Sequence, residues 1–274
     1  MTDDAGPVTA PPGAPSRPQR PAPSAFALGI TVGFVALTTV TWFTSGFSVG
    51  AIWSGLFREN DALRAIAHAD LGQFNSDRTL EAFFDTVRMA VLGTTGGALV
   101  ALPLAMASSR HGVPIRWLVW LFRGFNNIIR SFPDVLWAML FVAAVGVGNL
   151  AGTLALFFFT IAVVTKLMAD SLDAIDTAPL EAADAAGLGW AGKQRVAVFP
   201  QILPSYVSYV IYAFELNVRG SAVLGLVGAG GVGNRLEFFR NRGAWEQVWG
   251  IVAMFLVVVL ILDRLSSFLR RRLV

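Results

Sequence analysis

Long uncharged apolar runs alternate with short polar stretches along this chain. Residues 25–45 form the first run, 21 residues without a charge, which matches the roughly 20 needed to cross bilayer hydrocarbon. Residues 89–109 form a second, predicted to begin earlier, near Phe83. Its Gly93, Gly96 and Gly97 predict a small-residue face for close helix packing. Residues 135–165 are uncharged over 31 positions, too few for two spans, which need about 40. The Gly146-Val147-Gly148-Asn149 cluster nevertheless predicts a turn inside that run. A third span must therefore start before Arg130 and Asp134, around residues 117–128, and a fourth must run past Lys166. Pro133 is expected to kink or break the third. Residues 171–203 are helix-like but polar. Residues 204–227 make a fifth span that contains Glu215, Asn217 and Arg219, and residues 248–269 a sixth that ends near Asp263 and Arg264.

The pattern predicts an all-α integral membrane protein with six transmembrane helices. Residues 1–24, rich in Pro, Ala and Gly, are expected to be a disordered cytoplasmic tail. Residues 25–81 hold the first span and an external interfacial segment. There Ile52, Trp53, Leu56 and Phe57, then Leu63 and Ile66, suggest two short helices, with Asn60 or Asp61 capping the second, or an ordinary loop. Residues 82–274 form the transmembrane core, with a polar loop at 177–204. Arg17 and Arg20 before the first run suggest a signal peptide, but that run is long enough to span and no small-residue cleavage site follows it.

Composition agrees with lipid as the solvent. The chain of 274 residues is 55% hydrophobic and 14% charged, where soluble domains carry about 25% charge. Its 21 Lys and Arg lie beside or between the apolar runs, as orientation signals do, and not on a solvated basic face for nucleic acid. A six-span count places Arg17, Arg20, Arg110, Arg116, Lys193, Arg195 and Arg270 to Arg272 on one side, predicted to be the cytoplasm with both termini. Arg58, Arg64 and Arg78, and Arg235, Arg240 and Arg242, fall on the other. The absence of cysteine excludes disulfides, thiolate metal sites and Cys nucleophiles. His68 and His111 stand apart without a ligand set, so no metal site is expected.

The loop at 177–204 carries the sharpest motif. Pro179 suits a first helical turn, Glu181 lies near the positive helix end, and Gly187 is a good residue just past a helix C-terminus. A second short helix around 193–199 is expected to stop at Pro200. The order Glu181-Ala182-Ala183, three residues, Gly187, then Ala197 and Phe199-Pro200 resembles the EAA loop of bacterial ABC importer permeases. That pattern has Ile and Leu where this chain has Ala197 and Phe199. The resemblance implies a type I importer permease of the bacterial inner membrane, whose loop docks a separate ABC ATPase dimer. It further implies an extracytoplasmic substrate-binding protein and a second copy of the chain as partners. No Walker sequence occurs here, so no cofactor is expected in this chain, and ATP and Mg would be held by the ATPase.

Longer pieces resemble the phosphonate importer permeases: Arg130-Ser131-Phe132-Pro133, Lys166-Leu167, Phe214-Glu215-Leu216-Asn217-Val218-Arg219, the Gly-rich run 223–233, and Asp263 with Ser266 before the Arg-rich end. Together with the loop they cover residues 130–272. Intramembrane charges face a cavity or each other. Arg130, Ser131, Glu215, Asn217 and Arg219 are thus candidate pathway residues for a phosphorus oxyanion, which guanidinium forks match. Pairing of Glu215 with Arg219, four residues apart, is the structural alternative. Gly228, Gly230, Gly231 and Gly233 satisfy a dinucleotide-type glycine spacing. They follow a predicted span and not a strand, so an irregular helix end or outer gate is the better reading. The rival cargoes are phosphate, phosphite and a methionine-like solute. A secondary transporter or channel would show internal repeats, and a membrane enzyme a cluster of acids or histidines at one face; neither is seen.

Overall fold

The computed structural model describes residues 24–46, 48–57 and 61–272. The expected disordered tail, Ser24 apart, and the candidate cap Asn60 lie outside the described residues. The chain divides into two compact units, up to Asn60 and from Asp61 onward.

The first unit holds α1 (Ala25–Thr44) and α2 (Val49–Phe57). Ser24 caps α1 by accepting from the Ala27 amide at 3.2 Å. The hydroxyls of Thr31, Thr38, Thr39, Thr41 and Thr44 each donate to the carbonyl four residues back. Five polar side chains are thereby satisfied inside one apolar helix, as hydrocarbon requires.

The second unit opens with α3 (Asp61–Arg64) and two 3-10 turns at Ala65–His68 and Leu71–Asn75, then α4 (Asp77–Ala107). The segment before the core is therefore a set of short helices, of which α3 begins at Asp61. Helix α4 starts before the expected Phe83, and residue 82 lies within it and not at a boundary. Next come α5 (Arg116–Ser131), α6 (Asp134–Val145), α7 (Asn149–Asp173) and α8 (Ala178–Ala185). They are followed by α9 (Trp190–Lys193), α10 (Phe199–Gly225), α11 (Gly231–Arg240) and α12 (Trp245–Arg270).

Among the described residues no strand occurs. Among those residues five helical segments are long and apolar enough to cross a membrane, or six if α5 and α6 count as one broken span. Those two helices meet at 83°, far beyond a kink. Phe132, which precedes Pro133, is extended, with ψ 124, because the proline ring excludes the helical conformation one residue upstream.

The expected stop at Pro200 does not occur. Trp190 to Gly225 run as one span, and a π-helical stretch at Gln194–Val198 links α9 to α10. A proline cannot donate to the fourth carbonyl back and its ring crowds that carbonyl. Widening the preceding turn relieves the crowding without ending the helix. The Gln201 side chain then donates to the Ala197 carbonyl at 2.7 Å.

The core is built where α4, α7 and α10 meet. A Cβ on Gly93 would lie 2.8 Å from Leu156 Cβ, and one on Gly97 2.6 Å from Thr160 Cβ, so these glycines set the approach of α4 to α7 as the small-residue face predicts. Helix α12 joins through Phe83, Val232, Ile251 and Met254. The Trp249 indole donates to the Ala62 carbonyl at 2.6 Å, which fixes the start of α12 to α3.

Candidate functional site

Helix α8 is seated by one face and shows the other. Leu180 packs against the cluster around Met168, Leu172 and Val198, and Ala183, three residues on, is buried. Glu181 and Ala182 point outward and are exposed. Asp176 accepts from the Ala178 amide at 3.0 Å, and the Thr177 hydroxyl donates to the Glu181 carboxylate at 3.3 Å. At the other end Gly187 takes φ +72. Its amide donates to the Asp184 carbonyl, and the Leu188 amide to that of Ala183. This double closure caps the last turn and demands a left-handed residue, which glycine adopts at no steric cost. Pro200 lies in the helix behind α8 and not at the end of a second short one.

The projection is braced against the turn between α4 and α5. The Trp190 indole donates to the Gly112 carbonyl at 3.0 Å and the Gln194 amide to the His111 carbonyl at 2.8 Å. Asp173, at the end of α7, accepts from the Ser109 hydroxyl at 2.8 Å, from the Arg110 amide at 3.1 Å and from the Arg123 guanidinium. Lys193 pairs with Asp184 at 2.6 Å. None of these braces is named by the EAA pattern. The only sequence signal for them is polar residues inside an otherwise helical stretch.

The intramembrane candidates separate into three places. Glu215 is almost wholly buried and pairs with Arg219 and, at 3.3 Å, with Arg270; Arg219 also reaches Asp263 at 3.1 Å. Two carboxylates and two guanidiniums thus close a balanced cluster between α10 and α12. Asn217 turns the other way. It is fully buried, and its amide donates to Thr94 at 2.7 Å and Thr160 at 2.8 Å. Arg130 and Ser131 lie at the end of α5, both exposed. Ser131 donates to the Ile128 carbonyl at 2.7 Å, and Arg130 has no hydrogen bond or ion pair among the described residues. Neither residue is joined to Glu215, Asn217 or Arg219. Sequence reasoning missed Thr94, Thr160 and Arg270. Asp263 was visible, since a charge within a span calls for a partner.

At the end of the bundle opposite α8, Gly228, Gly230 and Gly231 all have positive φ. Gly230, at +83, lies against Asn149, leaving no room for a Cβ. The Asn149 side chain accepts from the Gly231 amide at 3.3 Å and the Thr86 hydroxyl oxygen from the Val232 amide at 2.9 Å. Two otherwise orphaned donors at the start of α11 are thereby met, and Gly233 follows inside that helix. The run is an irregular turn between helices, with no strand to support a nucleotide. On α11, burial and the nearby Arg78 guanidinium push Arg235 below its ordinary pKa. Among the described residues no group of acids or histidines is arranged to hold a metal.

The fold and site define a multi-helix membrane bundle with one braced helix projecting from its end. The chain belongs to the family of binding-protein-dependent transport system inner membrane components, whose model matches residues 89–274. It is therefore the inner-membrane permease component of an ABC importer and not itself an enzyme. Over 190 residues it is 38% identical to a phosphate-import permease protein of Mycolicibacterium smegmatis, covering 69% of this chain and 36% of that one. Over 187 residues it is 35% identical to a phosphite transport system permease protein of Stutzerimonas stutzeri, covering 68% of each. A chain of the methionine ABC transporter MetNI, solved in inward-facing conformations, superposes with a TM-score of 0.63 at 21% identity, over 73% of this chain and 99% of that one.

Proposed function

We propose that this permease admits phosphorus oxyanions, phosphonates foremost, with phosphate and phosphite as the alternative cargoes. The names of the relatives support that class, and so does one observation within the chain. Arg130 is an exposed guanidinium without a partner at the break between α5 and α6, free to meet an oxyanion with two parallel hydrogen bonds. Ser131 beside it offers a hydroxyl. Arg219 differs, because Glu215 and Asp263 already match its charge. In this reading Glu215, Asn217 and Arg219 shape the wall of the pathway, and Gly228 to Gly233 form its outer gate.

The working unit is a symmetric dimer of this chain, giving two α8 projections for two ATPase subunits. Glu181 and Ala182 meet the ATPase, Ala183 and Gly187 hold α8 in place, and the α8 end with both termini is cytoplasmic. ATP and Mg bind in the ATPase dimer. Its closure brings the two projections together and turns the cavity outward, where a binding protein delivers cargo at the α11 end.

The test is uptake in a bacterium stripped of its phosphorus importers and supplied with this permease, its ATPase and its binding protein. Methylphosphonate should be imported and Arg130→Ala should abolish most of that import. Import of phosphate or phosphite alone would reassign the cargo, and import of none would refute the reading.

A further inference from the structure

A cavity of about 250 Å³ opens between the α4–α5 turn and the first half of α5, lined by Arg110, Arg116, Val119, Trp120 and Arg123. Three guanidiniums share it. Arg123 is satisfied by Asp173 and by the Ser108 carbonyl. The side chains of Arg110 and Arg116 are exposed and have no partner among the described residues. Two unmatched like charges beside one cavity repel each other unless an anion joins them.

The surroundings say which anion. Trp117 is 66% and Trp120 82% exposed, a costly display in water. Indoles are favoured where a membrane meets water, since the ring lies among acyl chains and its N–H reaches the headgroups. The cavity's place at the ends of two long apolar helices suits that role. Arg123 reaches the end of α7 through Asp173, and Arg110 follows the end of α4, so both long helices finish here, at the α8 end of the bundle. Basic pockets between transmembrane helices at this level suit lipid headgroups.

We infer that the Arg110–Arg116–Arg123 cavity binds the phosphate headgroup of an anionic phospholipid in the leaflet on the α8 side, with Trp117 and Trp120 against its acyl chains. The site is separate from Arg130 and from the intramembrane cluster, so it stands or falls apart from the cargo assignment. Through Arg123, Asp173 and the α4–α5 turn that braces Trp190 and Gln194, the lipid would stiffen the mounting of α8.

The test uses the whole complex, permease with ATPase, in nanodiscs of phosphatidylcholine with a minor fraction of phosphatidylglycerol. Retained lipid is read by native mass spectrometry. Wild type should retain phosphatidylglycerol, Arg116→Gln should weaken its retention about fivefold and Arg110→Gln/Arg116→Gln about 25-fold. Arg110→Lys/Arg116→Lys should keep most of it. Molar salt should release the lipid from wild type, which tests the same charge dependence if the double variant fails to assemble. Equal retention by wild type and the glutamine variant, or no response of wild type to salt, would overturn the proposal. Displacement of the lipid by inorganic phosphate or methylphosphonate would overturn it too, by making the cavity a site for free anions.

Discussion

Arg219 on α10 donates to Asp263 on α12 at 3.1 Å while holding Glu215 on its own helix. One guanidinium therefore serves two carboxylates. Arg219→Ala should destabilise the α10–α12 contact by about 1–3 kcal/mol, toward the lower figure because Arg219 and Asp263 are each 43% exposed. Asp263→Asn in the same chain should restore much of that loss, with a coupling of about 0.5–3 kcal/mol in a double-mutant cycle of detergent unfolding. Uptake then separates two roles. If Arg219 only pairs, the double variant regains transport with stability. If it also meets cargo, stability returns and transport does not.

Asn217 ties three helices through Thr94 and Thr160. Interhelical hydrogen bonds in membranes contribute about 0.6 kcal/mol each. Asn217→Ala should therefore cost on the order of 1 kcal/mol, seen as a lower unfolding midpoint in detergent. An unchanged midpoint would mean that packing between Gly97 and Thr160 alone holds this junction.

The spans were legible because lipid imposes a length on apolar runs, and Gly93 and Gly97 announced the contact of α4 with α7. Glu181 and Gly187 were legible because a helix start and a left-handed stop each demand particular chemistry. Pro200 misled. Its local preference to end a helix was overridden by a π turn at Gln194–Val198, which depends on the whole span continuing to Gly225. Pro133 was read as a kink or a break, and the structure shows the break, with α5 and α6 meeting at 83°. The partners of Glu215 were only half visible. Arg219 lies four residues away, whereas Arg270 lies 55 away and becomes a neighbour only when α12 folds back.

Gly187→Ala should isolate backbone strain. A Cβ there meets nothing within 4 Å, but φ is +72. The left-handed conformation costs a residue with a Cβ about 1–2 kcal/mol. Hydrogen exchange over residues 178–189 should accelerate while α4 and α7 stay protected. Gly187→Asn, which tolerates this conformation better, should behave closer to wild type. Equal acceleration in both variants would point to a lost contact in place of strain.

Gln194 bears on how the projection transmits force. Its amide holds the His111 carbonyl at 2.8 Å, and the neighbouring Trp190 holds Gly112, so α9 and the α4–α5 turn are fastened at two points. A push on α8 reaches α4 and α5 only as far as these fastenings are stiff. Gln194→Leu with Trp190→Phe removes both donors while keeping most of the bulk. The permease should still assemble with its ATPase, because Glu181 and Ala182 are untouched. ATP hydrolysis in proteoliposomes should continue, and cargo imported per ATP should fall several-fold. A fall in hydrolysis and import by the same factor would show that the brace serves docking and not transmission. Hydrolysis and import both unchanged would show that α7, which meets α8 through residues 174–177 and the packing of Leu180, carries the motion.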